Sequence, residues 1–190
     1  MESPFETDVK NCVQTLRQDG VILYPTDTIW GLGCDVQNET AIQKIFEIKK
    51  RDVNKSFIVL MTDGRQLAKH IANPPFNLEA ILEKFNNPTT IIYQNAIHLP
   101  QSLLAKDGSV AVRITKDPFC RSLIKRLRSP IVSTSANLSG QPSAGTFSMI
   151  TDSVKTQVDY IVQWRQDDEK IAEPSSILKL EADGSFTKIR

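Results

Sequence analysis

Residues 131–143 are the stretch of this chain best suited to chemistry. They read Ile-Val-Ser-Thr-Ser-Ala-Asn-Leu-Ser-Gly-Gln-Pro-Ser, a short β-branched run followed by hydroxyls, an amide and a glycine. The β-branched run predicts a buried strand, and the polar side chains come where that strand ends. Such hydroxyls either bond to their own backbone in a turn or face a polar ligand. Ligands of open α/β sheets bind at the carboxyl ends of strands, so a binding site is one of two interpretations of this stretch.

A second polar segment follows an earlier apolar strand. Pro25-Thr26-Asp27-Thr28 leads into Gly31 and Gly33, and glycines let the backbone turn or come close to a ligand. The same residues also suit an ordinary turn capped by Asp and Thr, so this interpretation stays open as well. A Gly-Lys-Ser/Thr signature does not follow, which excludes a phosphate loop of the Walker type.

Basic side chains provide two further candidates for binding an anion. Lys49 and Arg51, with Lys55 close by, precede an apolar run and are placed to contact phosphates, although cations at a helix end also complement its dipole. Arg113 lies inside the apolar run 110–114, where a charge is costly to bury without an acid or an anionic ligand. The sequence alone does not identify an acidic partner for Arg113.

Several other classes of site are disfavoured by the residues present. The two histidines, His70 and His98, have no carboxylate or cysteine at ligand spacing, so we expect no metal site made of protein side chains. No serine has an identifiable histidine base and the Gly-x-Ser-x-Gly pattern is missing, which argues against a hydrolase triad.

Composition limits the class of protein. The chain has 190 residues and a net charge of +1, so charge alone gives no general case for nucleic-acid or membrane binding. The three cysteines, Cys12, Cys34 and Cys120, are far apart and odd in number, as in a reduced protein of the cytosol. With no signal peptide and no apolar run of about 18 residues, we expect a soluble, cytoplasmic protein.

Apolar periodicity predicts strands that alternate with helices, hence one α/β domain spanning residues 1–190. The consecutive strands near the carboxyl end indicate a mixed sheet. Residues 26–33 are expected to be a polar, glycine-rich connection. The predicted strands are 21–24, 57–61, 89–93, 110–114, 131–133, 159–163, 175–180 and 185–189, and the predicted helices are 6–19, about 40–49, 63–71, 77–84, 118–127 and part of 146–156.

Taken in order, these motifs closely resemble one family. The motifs are Pro25-Thr26-Asp27-Thr28, Lys49-x-Arg51, Val112-Arg113 and the element from Ser133 through Gly140. Together they are similar to the motifs of the threonylcarbamoyl-AMP synthases, also called the YrdC-like domain, in their short single-domain form. The resemblance implies a twisted mixed sheet flanked by helices around a concave cavity. It also implies formation of L-threonylcarbamoyl-AMP and pyrophosphate from L-threonine, bicarbonate and ATP, for the N6-threonylcarbamoyl modification of adenosine 37 in tRNA.

The resemblance further implies roles for individual residues. Thr28, Arg113 and Ser133 would bind L-threonine, with Arg113 taking its carboxylate. No residue would act as a nucleophile, and Arg51, Lys55 and Arg113 would act by positioning. The residues expected on the ATP side are Lys49, Arg51, Lys55, Ser109, Ser135, Asn137, Ser143 and Ser176.

The same resemblance implies Mg²⁺ bound through the phosphates of ATP, and a threonylcarbamoyl-transferase complex as the downstream acceptor. The alternative function is a non-catalytic protein of this fold that binds double-stranded RNA or tRNA. Near-neutral charge disfavours it, because affinity for nucleic acid rests mainly on neutralising phosphates. A carbamoyl-adenylate enzyme of hydrogenase maturation is a third hypothesis. It is disfavoured because such enzymes carry zinc-finger and acylphosphatase segments, which are not found in this sequence.

Overall fold

The computed structural model describes residues 3–52 and 57–190, so the predicted site residue Lys55 lies outside the described residues. Its helices and strands alternate as the periodicity predicts. The helices are α1 (Glu6–Leu16), α2 (Glu39–Lys49), α3 (Gly64–Ala68), α4 (Leu78–Glu83), α5 (Pro118–Leu127) and α6 (Asp152–Lys155). The strands are β1 (Ile22–Tyr24), β2 (Gly31–Asp35), β3 (Ile58–Met61), β4 (Thr89–Tyr93), β5 (Val110–Ile114), β6 (Ile131–Ser135), β7 (Tyr160–Ile161), β8 (Ser176–Leu180) and β9 (Phe186–Lys188).

Within the described residues these strands form one sheet in the order β7-β1-β2-β6-β3-β5-β4-β8-β9. The pairs β1–β7, β3–β5 and β4–β8 are parallel and the others are antiparallel, which confirms a mixed sheet. The hydroxyl-bearing strand β6 lies between β2 and β3. Its polar end therefore lies beside the segment between β1 and β2, and β3 separates it from β5.

The main difference from the prediction is β2, which occupies part of the segment expected to be a connection. Gly31 pairs with Ser135 and Gly33 with Ser133 in an antiparallel register. Glycine has a low intrinsic preference for strands, so the sequence predicts a loop; pairing with β1 and β6 overrides that preference. Strand β6 is also longer than predicted, because Thr134 and Ser135 continue the ladder with β2.

The starts of α2 and α5 agree with their local signals, whereas α1 and α3 end three residues before their predicted ends. Asn38 begins α2, accepting from the Ala41 N–H, and Asp117 begins α5, accepting from the Cys120 N–H, with Pro118 in the first turn. The helix predicted within residues 146–156 is shorter, a 3₁₀ turn at Phe147–Met149 and the single turn of α6.

The helices cover an apolar core that runs along the sheet. Helix α5 packs against α1, and its amphipathic face buries Phe119, Cys120 and Leu123. All three cysteines are buried free thiols. No helix in the described ranges combines the length and the apolar character needed to cross a membrane.

Candidate active site

A cavity of about 280 Å³ is lined by residues from the hydroxyl end of β6, from β5 and from the segment after β1. Six of the residues predicted from the sequence line it. Residues that the sequence did not single out as site residues share the wall, among them Trp30, Ser175 and Arg190. The six predicted residues are Thr28, Arg51, Arg113, Ser133, Ser135 and Ser143.

The glycines of β2 leave room for a side chain from β1 to reach Ser133. A Cβ on Gly33 would lie 2.7 Å from Tyr24 Cε1 and 2.8 Å from the Val132 carbonyl oxygen, closer than real Cβ atoms come. The absence of a side chain there lets the Tyr24 ring cross β2 and donate from Oη to Ser133 Oγ at 2.8 Å. Burial raises the pKa of Tyr24 well above its ordinary value, so the phenol keeps its proton. Ser133 accepts from Tyr24, which leaves its own proton to donate to a ligand.

The two threonines after β1 form a hydrogen-bond chain with a defined direction. Thr26 Oγ1 donates to the Ile29 carbonyl at 2.9 Å and accepts from the Thr28 N–H at 3.0 Å. The two hydroxyls lie 2.9 Å apart, and since the proton of Thr26 is already used, Thr28 is the donor between them. Arg113 Nη1 donates to Thr28 Oγ1 at 3.0 Å. Thr28 therefore offers its remaining lone pair to the cavity as an acceptor.

Asp27 is the acidic partner of Arg113 that the sequence did not identify. Its Oδ1 lies 3.2 Å from Arg113 Nη2, and the Arg113 side chain is only 5% exposed. A buried guanidinium without an anion is costly, so this pairing explains how β5 carries a charge. The Nε of Arg113 has no hydrogen-bond partner among the residues that the structure describes. A carboxylate is the ligand best suited to a guanidinium in this state.

Lys49 supports the loop after β6 from behind the cavity. It is 1% exposed at the end of α2, and its Nζ donates to the carbonyls of Ser135 at 2.5 Å and Asn137 at 2.7 Å. The Lys49 carbonyl in turn accepts from the Ser139 N–H at 2.9 Å. Burial, and then the charge of Arg51, lower the pKa of Lys49 to about 7. The Asn137 amide donates within the same loop, to Leu138 and Gln141.

Two of the predicted serines lie away from the cavity wall. Ser109 Oγ donates to Asp107 Oδ1 at 2.7 Å and does not line the cavity. Ser176 is exposed, whereas its neighbours Ser175 and Ile177 line the cavity. Side chains alternate along a strand, so the residue next to the predicted one faces the site.

Arg190 is a cavity residue that no sequence motif indicated. It lies beside Ser175, and its Nη2 donates to the Ser175 carbonyl at 2.9 Å. The backbone of Ile177 bonds in both directions with Arg190, which holds the guanidinium at the cavity wall. Together with Arg51 it adds positive charge to that wall. The pairing of β9 with β8 places the Arg190 side chain at the cavity wall, and no local motif predicts that position.

Within residues 3–52 and 57–190 no three His, Cys, Asp or Glu side chains lie close enough together to hold a metal ion. Among the described residues, the polar side chains that line the cavity are hydroxyls and guanidiniums. The cavity is suited to holding a small carboxylate beside a phosphorylated ligand.

The Sua5/YciO/YrdC family model, which carries the description telomere recombination, matches residues 14–190. The chain belongs to this family. A threonylcarbamoyl-AMP synthase of Xanthomonas campestris pv. campestris (strain B100) is 35% identical over 162 residues, which are 84% of this chain and 87% of that protein.

Two solved structures of the family have the same fold. YciO of E. coli has a TM-score of 0.84 at 26% identity, with all of this chain and 91% of that chain covered. P. abyssi Sua5 complexed with L-threonine also has a TM-score of 0.84, at 23% identity over all of this chain. This chain spans 55% of that Sua5 chain. The mixed sheet flanked by helices that the resemblance implied is thus confirmed as the fold of the family.

Proposed function

We propose that this protein is an L-threonylcarbamoyladenylate synthase, which converts L-threonine, bicarbonate and ATP to L-threonylcarbamoyl-AMP, pyrophosphate and water. The observation that carries the proposal is the 3.0 Å hydrogen bond from Arg113 to Thr28 on the wall of a cavity that Ser133 also lines. Relatives that share most of this chain's length have the same activity in their names, which supports it.

The threonine end of the cavity follows from the donors and acceptors present. Arg113 is the partner for the substrate carboxylate, since a guanidinium binds a carboxylate with charge-assisted hydrogen bonds. Thr28 Oγ1 offers a lone pair to a substrate donor, the amine or the hydroxyl of threonine. Ser133 offers a proton to a substrate oxygen because Tyr24 already donates to it. These three contacts together fit an amino acid better than they fit an RNA groove.

The reaction needs positioning more than it needs a protein nucleophile. The threonine nitrogen attacks the carbon of bicarbonate, water leaves, and a carbamate forms. An oxygen of the carbamate then attacks the α-phosphorus of ATP, and the bond to the β-phosphate oxygen breaks to release pyrophosphate. Holding both reactants in one orientation accounts for a large part of such a rate enhancement. Fixed donors stabilise the charge that develops on the phosphoryl oxygens.

On the ATP side we propose contacts from Arg51, Ser135 and Ser143, which line the cavity. Lys49 and Asn137 hold the loop that carries two of these groups. In place of Ser109 and Ser176 we propose Ser175 and Arg190 as further ATP contacts, since the latter two residues line the cavity. A role for Lys55 stays a prediction from the sequence.

Other parts of the proposal also stay predictions. Mg²⁺ would be held by the phosphates of ATP and would neutralise part of their charge. Among the described residues no cluster of carboxylates could hold the ion instead. Asp27 is already paired with Arg113. Five further points stay predictions. They are bicarbonate as the carbon source, transfer of the product to tRNA by a partner complex, direct tRNA binding, a cytoplasmic location and a single domain over residues 1–190.

The test is incubation of the protein with ATP, Mg²⁺, bicarbonate and each amino acid in turn, with pyrophosphate release as the readout. We expect release with L-threonine well above that with any other amino acid. A folded protein that releases no threonine-dependent pyrophosphate would contradict the proposal. If that protein binds tRNA in a gel-shift assay, the non-catalytic RNA-binding alternative takes its place.

A further inference from the structure

Thr90 and Ser175 form a buried pair of hydroxyls at the wall of the candidate active-site cavity. Thr90 lies on β4 and is fully buried, and Ser175, just before β8, is 3% exposed. Their Oγ atoms are 2.8 Å apart. Ser175 lines the cavity, whereas Thr90 does not. Ile92, two residues after Thr90 on the same strand, also lines it, so Thr90 points to that side of the sheet. Thr90 can therefore act on a ligand only through Ser175.

The proton between the two hydroxyls belongs to Thr90. Among the described residues, Ser175 Oγ is the only hydrogen-bond partner of Thr90 Oγ1. If Ser175 were the donor, the Thr90 proton would have no acceptor, and a buried donor without an acceptor is costly. Thr90 therefore donates and Ser175 accepts. Since a hydroxyl carries one proton, Ser175 keeps its own proton for a ligand oxygen in the cavity.

The backbone around Ser175 is held by two further hydrogen bonds. Arg190 Nη2 donates to the Ser175 carbonyl at 2.9 Å, and the N–H of the next residue, Ser176, donates to the Pro88 carbonyl at 3.2 Å. With the backbone held, the remaining freedom of the Ser175 side chain is rotation about its Cα–Cβ bond. The hydrogen bond from Thr90 selects one of the resulting rotamers.

We infer that Thr90 is a positioning residue, which holds the Ser175 hydroxyl as a donor to an oxygen of ATP. The inference rests on the proposed function, in which Ser175 contacts ATP. The phosphates and the ribose of ATP offer such acceptor oxygens. Without the Thr90 hydroxyl, Ser175 would be free to turn to another rotamer, and its hydrogen bond to ATP would be weakened.

A purely structural role is the competing explanation, since a buried pair of hydroxyls also stabilises the fold. Two substitutions separate the roles. Thr90→Val removes the hydroxyl and keeps the branched shape of the side chain. Thr90→Ser keeps the hydroxyl and removes a methyl group. Positioning predicts that Thr90→Ser retains ATP affinity and Thr90→Val does not, whatever either does to stability. A structural role predicts that ATP affinity falls in step with the free energy of unfolding, which urea titration measures.

The experiment is calorimetric titration of each variant with ATP and Mg²⁺ and, separately, with L-threonine. We expect Thr90→Val to bind ATP about fivefold more weakly than the wild type and Thr90→Ser to bind it within about twofold, both with wild-type affinity for L-threonine. Thr90→Ala removes the same hydroxyl and should match Thr90→Val, so the test does not depend on one variant. Ser175→Ala should also lose about fivefold in ATP affinity. Combining it with Thr90→Val should weaken binding no further, because Thr90 acts through Ser175.

Thr146→Val is the matched control. Thr146 is buried and its Oγ1 lies 3.0 Å from Ser148 Oγ, so the substitution breaks another hydrogen-bonded pair of Thr and Ser hydroxyls. Neither residue lines the cavity, and the ATP affinity of this variant should equal that of the wild type.

The inference is overturned if Thr90→Val binds ATP as the wild type does, if Thr90→Ser binds it as weakly as Thr90→Val, or if the losses of Thr90→Val and Ser175→Ala multiply in the double variant. An equal loss of ATP and L-threonine affinity in Thr90→Val also overturns it, because that result indicates a general effect on folding. A wild-type protein that binds no ATP would overturn the proposed function together with this inference. A wild type that releases pyrophosphate with L-threonine, accompanied by any of the contrary variant results, overturns the inference alone.

Discussion

Tyr24 and Ser133 are joined by a 2.8 Å hydrogen bond that spans from β1 to β6 across the strand between them. The ring passes over Gly33, whose ladder partner on β6 is Ser133 itself. The phenol is fully buried and its pKa is raised, so it keeps its proton and acts as a fixed donor to Ser133. The residue that donates to Ser133 is thus fully buried and does not line the cavity.

The first prediction concerns Tyr24→Phe, which removes this donor without changing the ring. We expect the free energy of unfolding to fall by about 1 kcal/mol and the KM for L-threonine to rise several-fold, because Ser133 is no longer oriented. Tyr160→Phe is the control: it also removes a tyrosine hydroxyl that donates a hydrogen bond, from Tyr160 Oη to Asp8 at 2.6 Å, and neither residue lines the cavity. An unchanged KM in Tyr24→Phe would show that Ser133 needs no orientation.

The second prediction concerns Gly33→Ala. The new Cβ would meet Tyr24 Cε1 at 2.7 Å and the Val132 carbonyl oxygen at 2.8 Å, so either the ring or the strand must move. We expect a loss of about 1–3 kcal/mol in unfolding free energy, as for overpacking in a core. Thermal or urea unfolding measures it.

Gly145→Ala is the matched control for that loss. Its Cβ would meet the exposed side chain of Ile171 at 3.1 Å, which can move aside, so the change should stay within about 0.5 kcal/mol. Equal stability of the two variants would mean that the close approach of Tyr24 to β2 is not required.

The third prediction concerns Lys49 and pH. Its pKa is lowered by burial and by Arg51 from the ordinary 10.5 to about 7. Between these pH values the unfolded chain binds a proton that the folded chain does not, so this group makes the unfolding free energy rise with pH. The slope is at most about 1.4 kcal/mol per pH unit. Lys49→Met removes the group, and urea titrations should show a flatter rise over this interval.

Lys125→Met is the control for Lys49→Met, because it makes the same change on the exposed side of α5. It should leave the pH dependence of the wild type in place. Parallel curves for the wild type and Lys49→Met would instead mean that the three acceptors around Nζ keep Lys49 charged through the whole interval.

The fourth prediction concerns Arg190, which lines the cavity beside Ser175. Arg190→Ala should weaken ATP binding about tenfold, since it removes a charge-assisted hydrogen bond to phosphate, and should leave L-threonine binding unchanged. Arg17→Ala makes the same change in net charge at an exposed position after α1 and should affect neither ligand. Calorimetry with each ligand separates the two sides of the cavity. Equal ATP affinity in the two variants would remove Arg190 from the site.

Three of the predicted residues that line the cavity, Thr28, Ser133 and Ser135, belong to local motifs at strand ends. Ser133 and Ser135 follow a β-branched run, and Thr28 follows an apolar strand, so the edge of the sheet on which they meet could be predicted. The pairing of Arg113 with Asp27 could not, because 86 residues separate them and only the sheet order brings them together.

Other differences have equally specific causes. The sequence does not predict strand β2, because two of its five residues are glycines, which have a low preference for strands. The resemblance implies Ser176, whereas Ser175 lines the cavity, because the face on which each strand residue lies depends on the register of β8 with β4. Arg190 depends on β9 returning beside β8, a pairing that no local motif encodes.

The central claim is that Arg113 holds the carboxylate of L-threonine for a reaction with bicarbonate and ATP. Its most direct test is mass spectrometry of the adenylate formed from L-threonine, ATP and ¹³C-bicarbonate by the wild type, Arg113→Ala and the control Arg17→Ala. We predict threonylcarbamoyl-AMP carrying the heavy carbon from the wild type and the control, and at least about tenfold less from Arg113→Ala at the same threonine concentration. No labelled adenylate from folded wild-type protein, or equal amounts from Arg113→Ala, would contradict the account.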